Sequence, residues 1–267
     1  MKKIINLHWR AAALKNGFMD AVAYRAEFFI DIIGSALVPA SIQLILWYAV
    51  FYIGQAHSFG GMSFIELINY TIISVLFSQI RGGNQDFELQ EMIRTGNLSQ
   101  HLLKPIGVVE FVYIRGVAPK LVIASVCICI GVVLSIWLPI TIPRIFGAIF
   151  LALLGNIIHY QVGAILSTFS FLWEEAYSVL MVKNLIVSIL SGELLPLNLF
   201  PASMSWAWKT TPFYLYVFGP TQFALGKWSV AQYFHSLGVG AIWIAILWVG
   251  IRISWHLGIR RYQSLGG

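Results

Sequence analysis

The chain has little charge. Of its 267 residues, 10% are Asp, Glu, Lys or Arg, and 58% are hydrophobic. One soluble core cannot enclose so much apolar surface, so a water-soluble fold is excluded. Cysteine is almost absent. Cys127 and Cys129 lie two apart in one apolar run, where helical geometry turns them to different faces. That excludes a disulfide framework and disfavours a bridge between the two. No G-x-x-x-x-G-K-[ST] phosphate loop occurs, and the single Gly-Lys pair, Gly226-Lys227, is followed by Trp228. An ATP site of that kind in this chain is therefore not expected. There is also no H-E-x-x-H, no Cys/His cluster and no G-x-S-x-G, and the six His residues are scattered. A metal centre or a hydrolase nucleophile has no support. No internal repeat is visible, which removes the usual signature of an inverted-repeat transporter. Met1 to Arg10 is basic, but no compact apolar region with a small-residue cleavage site follows, so no cleavable signal peptide is expected.

What the chain has is long apolar runs, with a mean hydropathy of +0.78. Runs of roughly 20 apolar residues read as membrane spans. They are continuous rather than alternating, which favours helices over a barrel. Ten Trp and eleven Tyr suit a protein anchored at two bilayer interfaces. The expected class is an all-α polytopic membrane protein.

In chain order, residues 1–27 read as an amphipathic surface helix. Ile4, Leu7, Ala11, Leu14, Phe18 and Val22 recur at helical spacing, and the basic residues suit an inner-leaflet surface. Residues 28–267 read as one transmembrane domain. Six spans are expected, at about 28–54, 64–80, 111–137, 145–173, 177–195 and 237–257. Between the last two, Pro196, Pro201, Pro212, Pro220 and several Gly and Trp residues interrupt the apolar sequence. This segment reads as short, broken, partly re-entrant helices, which survive at membrane depth only when buried in protein or beside water. With the N-terminus inside, thirteen Lys and Arg fall on the cytoplasmic side. Three fall outside, Arg144, Lys209 and Lys227, and Lys183 lies within the fifth span. Both termini and the loop after the second span are therefore expected in the cytoplasm.

That loop, Arg81 to Gly107, is the longest polar stretch. Gln85 to Arg94 reads as a short helix with Asp86, Glu88, Glu91 and Arg94 as an exposed charged surface. Phe87, Leu89 and Met92 supply apolar contacts, and Gly96 suits its C-terminus. Two readings stand: a docking element for a soluble partner, or a solvated surface loop.

Charges inside spans cost about 2.5–3.5 kcal/mol each on insertion scales, so polar residues there should face protein or water. Tyr70, Ser74 and Ser78 share one face of the second span. Asn184, Ser188 and Ser191 share one face of the fifth, and Asn156, His159 and Gly163 share one of the fourth. The first two stripes are candidate pathway linings, with ordinary interhelical hydrogen bonding as the alternative. Glu193 reads as facing an exit vestibule, or as a cap or local pair. Lys183 reads as snorkelling inward or pairing with Glu174 or Glu175. Asp31, low in the first span, has no assigned role.

The run EMIRTGNLSQHLLKPIG resembles the cytoplasmic loop of ABC exporter permeases of the type-2 superfamily. The later run SGELLPLNLFPASMSWAWKTTPFYLYVFGPTQFALGK resembles their far-side segment before the last span. The resemblance covers nearly the whole chain and is closest to small bacterial permeases that pair with a separate ATPase. It implies a permease subunit with no catalytic site of its own, in the bacterial inner membrane. Two ATPase subunits would bind ATP and Mg2+ and dock from the cytoplasm. A second permease, identical or homologous, would complete an alternating-access pathway for an amphipathic or lipophilic substrate. The loop helix would be the coupling helix, with Phe87, Glu88, Glu91, Met92 and Arg94 as contact candidates and Glu174 and Glu175 as further ones. The pathway candidates remain Tyr70, Ser74, Ser78, Asn184, Ser188, Ser191 and Glu193. An ion-driven transporter or channel relying on Asp31 or Glu193, and a membrane enzyme using His159, are the alternatives.

Overall fold

A computed structural model describes residues 7–138, 140–173, 176–204 and 210–262. The described residues are helical, with no strand beyond an isolated bridge between Phe59 and Met62. Gly60 and Gly61 make that tight turn in the left-handed region, at φ +58° and +76°. The helices are α1 (Leu7–Ala23), α2 (Arg25–Tyr48), α3 (Phe64–Arg81), α4 (Gln85–Arg94), α5 (Leu98–Leu102), α6 (Val108–Leu134), α7 (Ile142–Ser167), α8 (Ala176–Leu190), α9 (Phe218–Ala224) and α10 (Val230–Ile259). A π-helical turn, Ala49–Ile53, extends α2, and a 3-10 turn, Thr168–Phe171, extends α7.

Four helical stretches are long and apolar enough to cross a membrane: Ile33–Ile53, Val108–Leu134, Ile142–Phe171 and Val230–Ile259. The expected second and fifth spans are shorter. Helix α3 has 18 residues and α8 has 15, so they extend about 27 Å and 22 Å against a hydrocarbon core of about 30 Å. Helix α3 is fixed at its start by a capping box between Ser63 and Glu66 and stops at Gly82.

Helix α7 is the central post. In its most apolar window 61% of residues are buried, against 11% in α2 and in α10, whose apolar faces point outward. Small residues let neighbours reach it. A Cβ on Gly155 would stand 2.7 Å from the Leu215 carbonyl, so the turn before α9 packs directly on the α7 backbone. The expected broken segment contains 3-10 turns at Leu197–Leu199, Ala202–Met204 and Phe213–Leu215, followed by α9. Leu215, Tyr216 and Val217 are fully buried, in one core with Ile80, Leu151, Ala152 and Ile158.

Helix α1 packs on α6 through a small face. Gly17 lies against the Arg115 carbonyl and Ala118 so closely that a Cβ would overlap both. Pro119 has no N–H to offer Arg115 four residues earlier, so that carbonyl is free for the approach. The expected apolar stripe of α1 turns the other way. Leu14 and Phe18 are half-buried, and Val22 is exposed.

Candidate functional site

The polar loop after α3 does not hang clear of the bundle. Asn156 Nδ2 donates to the Ile80 carbonyl at 3.0 Å and to the Arg81 carbonyl at 3.2 Å. It thereby satisfies acceptors left free at the end of α3. Asn156 stands eleven positions before Ser167, about 16 Å up α7. The chain turns at Gly82-Gly83, and α4 then runs back alongside the last turns of α7.

One face of α4 is buried: Gln85, Asp86, Leu89, Gln90, Met92 and Ile93. Gln85 Nε2 donates to the Gly116 carbonyl at 2.8 Å. A Cβ on Gly116 would overlap Gln85, and one on Gly163 would stand 2.5 Å from the Asp86 Cβ. Two glycines, one on α6 and one on α7, thus admit the start of α4. Ser167 Oγ donates to the Asp86 carbonyl at 2.7 Å. Farther along, Leu89, Met92 and Ile93 form a second core with Leu98, Val108, Val112, Tyr160, Ala164 and Ile251.

Asp86 is not the exposed charge its sequence neighbours suggest. Its carboxylate forms an ion pair with Lys183 of α8, with side-chain exposures of 2% and 5%. Lys183 also lies 3.4 Å from His159 Nε2. The expected partners of Lys183, Glu174 and Glu175, lie outside the described residues, and so does the Asp31 side chain. Lys183 neither snorkels nor stands alone: its charge is neutralised by an acid 97 residues away in sequence. Burial of both groups needs this pairing, because an isolated charge at that depth is costly.

The other face of α4 is divided. Phe87 and Glu88 are half-buried and held within the chain. The Phe87 ring centroid lies 5.2 Å from that of Tyr177 on α8. Glu88 pairs at 3.1 Å with Arg115 of α6, which pairs at 2.9 Å with Asp20 of α1. Burial raises the Glu88 carboxyl above the usual carboxylate range, against the pull of Arg115 and with a smaller push from Asp20. Met92 turns inward. Glu91 and Arg94 point out, half exposed, and their side chains pair with each other at 2.8 Å. Exposed residues continue from Thr95 past Gly96, where φ is +78°, through Asn97 and Gln100 to Leu103, which is 89% exposed. Tyr262, after α10, anchors this stretch through its hydroxyl, which donates to the Gly96 carbonyl at 2.6 Å.

The two candidate pathway stripes meet end to end. Tyr70, Ser74 and Ser78 are buried against the chain itself. Tyr70 donates to the Gly192 carbonyl at 2.7 Å, while Ser74 and Ser78 bond to Thr71 and Val75 of their own helix. Asn184 and Ser188 are half-buried on α8, and Ser191 is fully buried. The backbone N–H of Phe218 donates to the Ser191 carbonyl at 2.9 Å. Because α8 is short, its end lies within the bundle. Glu193 there meets Arg81 at 2.5 Å, and its carbonyl accepts from Gln43 Nε2 at 2.9 Å. The partner of Glu193 is therefore neither a cap nor a local pair but a base 112 residues away in sequence. His159 is buried edge-on to Tyr216, with centroids 5.6 Å apart.

Reasoning from sequence missed the partners of Asp86, Lys183, Arg81 and Glu193. A usable signal existed: two acids and two bases at or near span ends balance one another, and charges in such places seek partners. Among the described residues, no group of three or more His, Cys, Asp or Glu could hold a metal ion.

A family model described as ABC-2 family transporter protein matches residues 37–266. No curated protein and no solved structure matches the chain.

Proposed function

This chain belongs to the ABC-2 transporter family, as a multi-pass membrane permease of an ABC transporter that associates with an ABC ATPase, and from that premise we propose that it is the permease subunit of an ATP-driven exporter whose energy enters through α4. Six spans are formed by α2, α3, α6, α7, α8 and α10, with α3 and α8 as the short ones. Both termini and α4 face the cytoplasm of a bacterial inner membrane. The excess of basic residues at that end supports this orientation. The outward apolar stripe of α1 suits a helix resting on the inner leaflet.

Two ATPase subunits carry ATP and Mg2+ and dock below α4. A second permease, identical or homologous, faces this one across a pathway for an amphipathic or lipophilic substrate. Asn184 and Ser188, half-buried on α8, line that pathway at rest. Tyr70, Ser74, Ser78 and Ser191 are closed off within the chain and join the lining only when α3 and the end of α8 separate. Glu174 and Glu175 are further candidates for contact with the ATPase.

One observation carries the reading. Helix α4 presents Glu91 and Arg94 outward, while its other face is tied to α6, α7 and α8, and through Arg115 to α1. A force on its outer face therefore reaches most of the bundle. An ion-driven transporter needs an acid free to exchange its ion. Of the two acids that reading rests on, Glu193 is already paired with Arg81, which favours the ATP-driven reading, and the Asp31 side chain lies outside the described residues.

Replacing Glu91 and Arg94 together with Ala should leave the permease inserted and assembled, but abolish substrate-coupled ATP hydrolysis and transport. Unchanged turnover and transport in that variant would remove α4 from the coupling role.

A further inference from the structure

We propose that the buried Asp86–Lys183 ion pair is the link through which α4 moves α8, so that the pathway wall follows the ATPase. This rests on the reading of α4 as the place where the ATPase acts.

Helix α8 is short and packs through one face only, against α7 and α4. Tyr177, Met181, Val182, Leu185, Ile186 and Ile189 are all substantially exposed, and its buried positions are Ala176, Leu180, Lys183 and Val187. It carries the candidate pathway residues Asn184 and Ser188, so its position sets the shape of the wall. Its hold on α4 comes from the Phe87–Tyr177 ring contact and the Asp86–Lys183 pair.

The pair is built to stay closed. Asp86 Oδ1 accepts from the Phe87 N–H at 3.1 Å, Oδ2 accepts from Lys183, and the Asp86 carbonyl accepts from Ser167 Oγ. Asp86 also lies in the first turn of α4, where the helix dipole favours an acid. Lys183 is enclosed by Asp86 and His159. Separating the two would strand a charge on each side in a dry site, which is strongly unfavourable. An apolar pair in the same place could slide. The ion pair holds one register, so the two helices move as one body. Asp86 and Lys183 are positioning residues. They touch neither the ATPase nor the substrate.

The test uses the permease–ATPase complex in lipid nanodiscs, with Cys127 and Cys129 replaced and spin labels attached to cysteines introduced at exposed sites. Label pairs at Thr95 and Phe150, at Leu185 and Phe150, and at Thr95 and Leu185 report α4 against α7, α8 against α7, and α4 against α8. On ATP binding the first two distances should shift, and the third should stay constant. In Asp86→Asn/Lys183→Gln, which removes both charges but keeps hydrogen-bonding groups, the α4–α7 shift should persist and the α8–α7 shift should be lost. Matching melting temperatures would show that the fold is kept. If the double variant does not assemble, the constant α4–α8 distance in the unmutated pair still decides. The ion-pair link is overturned if the α4–α8 distance changes as much as the α8–α7 distance, or if α8 still responds in the folded double variant. If ATP moves neither label relative to α7 in the unmutated complex, α8 does not move separately and the ion-pair link is overturned, whereas the coupling role of α4 stands or falls on the Glu91 and Arg94 replacement described above.

Discussion

The Arg81 guanidinium donates to the Glu193 carboxylate at 2.5 Å, joining the last residue of α3 to the third residue beyond α8. The side chains are 12% and 20% exposed, so each would be left nearly dry without the other. The contact ties the returning chain after α8 to the last residue of α3.

Removing one partner leaves the other charge unsatisfied. Arg81→Ala or Glu193→Ala should each destabilise the permease by about 1.5–3 kcal/mol, the range for a charge-assisted hydrogen bond. The double variant should lose clearly less than the sum, because no charge is then stranded. Thermal unfolding in nanodiscs measures all three. Additive losses would show that the two side chains do not sense one another.

The Glu88 site gives a pH dependence with a definite sign. Burial raises its folded-state pKa above that of the unfolded chain, which is about 4.3. The folded protein therefore holds this proton more tightly. The resulting stabilisation is fully present below the unfolded value and is lost as pH rises through the folded one. Glu88→Gln removes the titration. The melting temperature of the unmutated chain should rise relative to that of Glu88→Gln as pH is lowered from neutrality towards the carboxylate range. A fall relative to Glu88→Gln would mean that the pairing with Arg115 outweighs burial.

The glycines behind α4 make a further contrast. On Gly163 a Cβ would meet the Asp86 Cγ at 2.8 Å, whereas Gly34 and Gly238 have nothing within 4 Å. Gly163→Ala should cost about 1–3 kcal/mol through overpacking and should loosen α4, seen as faster amide exchange over residues 85–94. Gly34→Ala and Gly238→Ala should be neutral or slightly stabilising, since Ala is the better helix former. Equal effects at all three positions would show that α4 does not press on α7.

These relationships explain which parts of the architecture could be read in advance. The spans at α2, α6, α7 and α10 are continuous apolar runs, and a run long enough to cross a bilayer declares itself from composition alone. Helix α4 was legible as a helix because Gly82-Gly83 and Gly96 bound a polar segment. Its inner face was not, because Asp86 reads like Glu91 in sequence. The difference between them lies in Gly116 and Gly163, which admit the start of α4, and in Lys183, 97 residues away from Asp86. Glu193 was misleading for a related reason. A fifth span of full length would carry it to the far surface, but α8 stops at Leu190 and leaves it beside Arg81. Helix lengths near the bilayer limit are settled by such tertiary partners, which local sequence does not display.

The last exposed feature beyond α4 is Leu103. It is 89% exposed, next to Leu102 at 42%, in the turn that joins α5 to α6. A single exposed Leu on a soluble protein calls for no explanation. Here it belongs to the same loop between α3 and α6 as Glu91 and Arg94, the loop assigned to the ATPase. If the ATPase covers it, burial of that side chain is worth about 1.5–3 kcal/mol, or about tenfold to a hundredfold in affinity. Leu103→Asp should therefore leave the melting temperature of the isolated permease unchanged, because that side chain is 89% exposed, and should sharply weaken ATPase association. Co-purification at graded detergent and salt, together with titration of the ATPase onto permease in nanodiscs, gives both readouts. Unchanged affinity would place the docking surface nearer Glu91 and Arg94 and leave the α5–α6 turn outside it. A drop in the stability of the isolated permease would instead mean that Leu103 serves the fold or the bilayer surface rather than the partner.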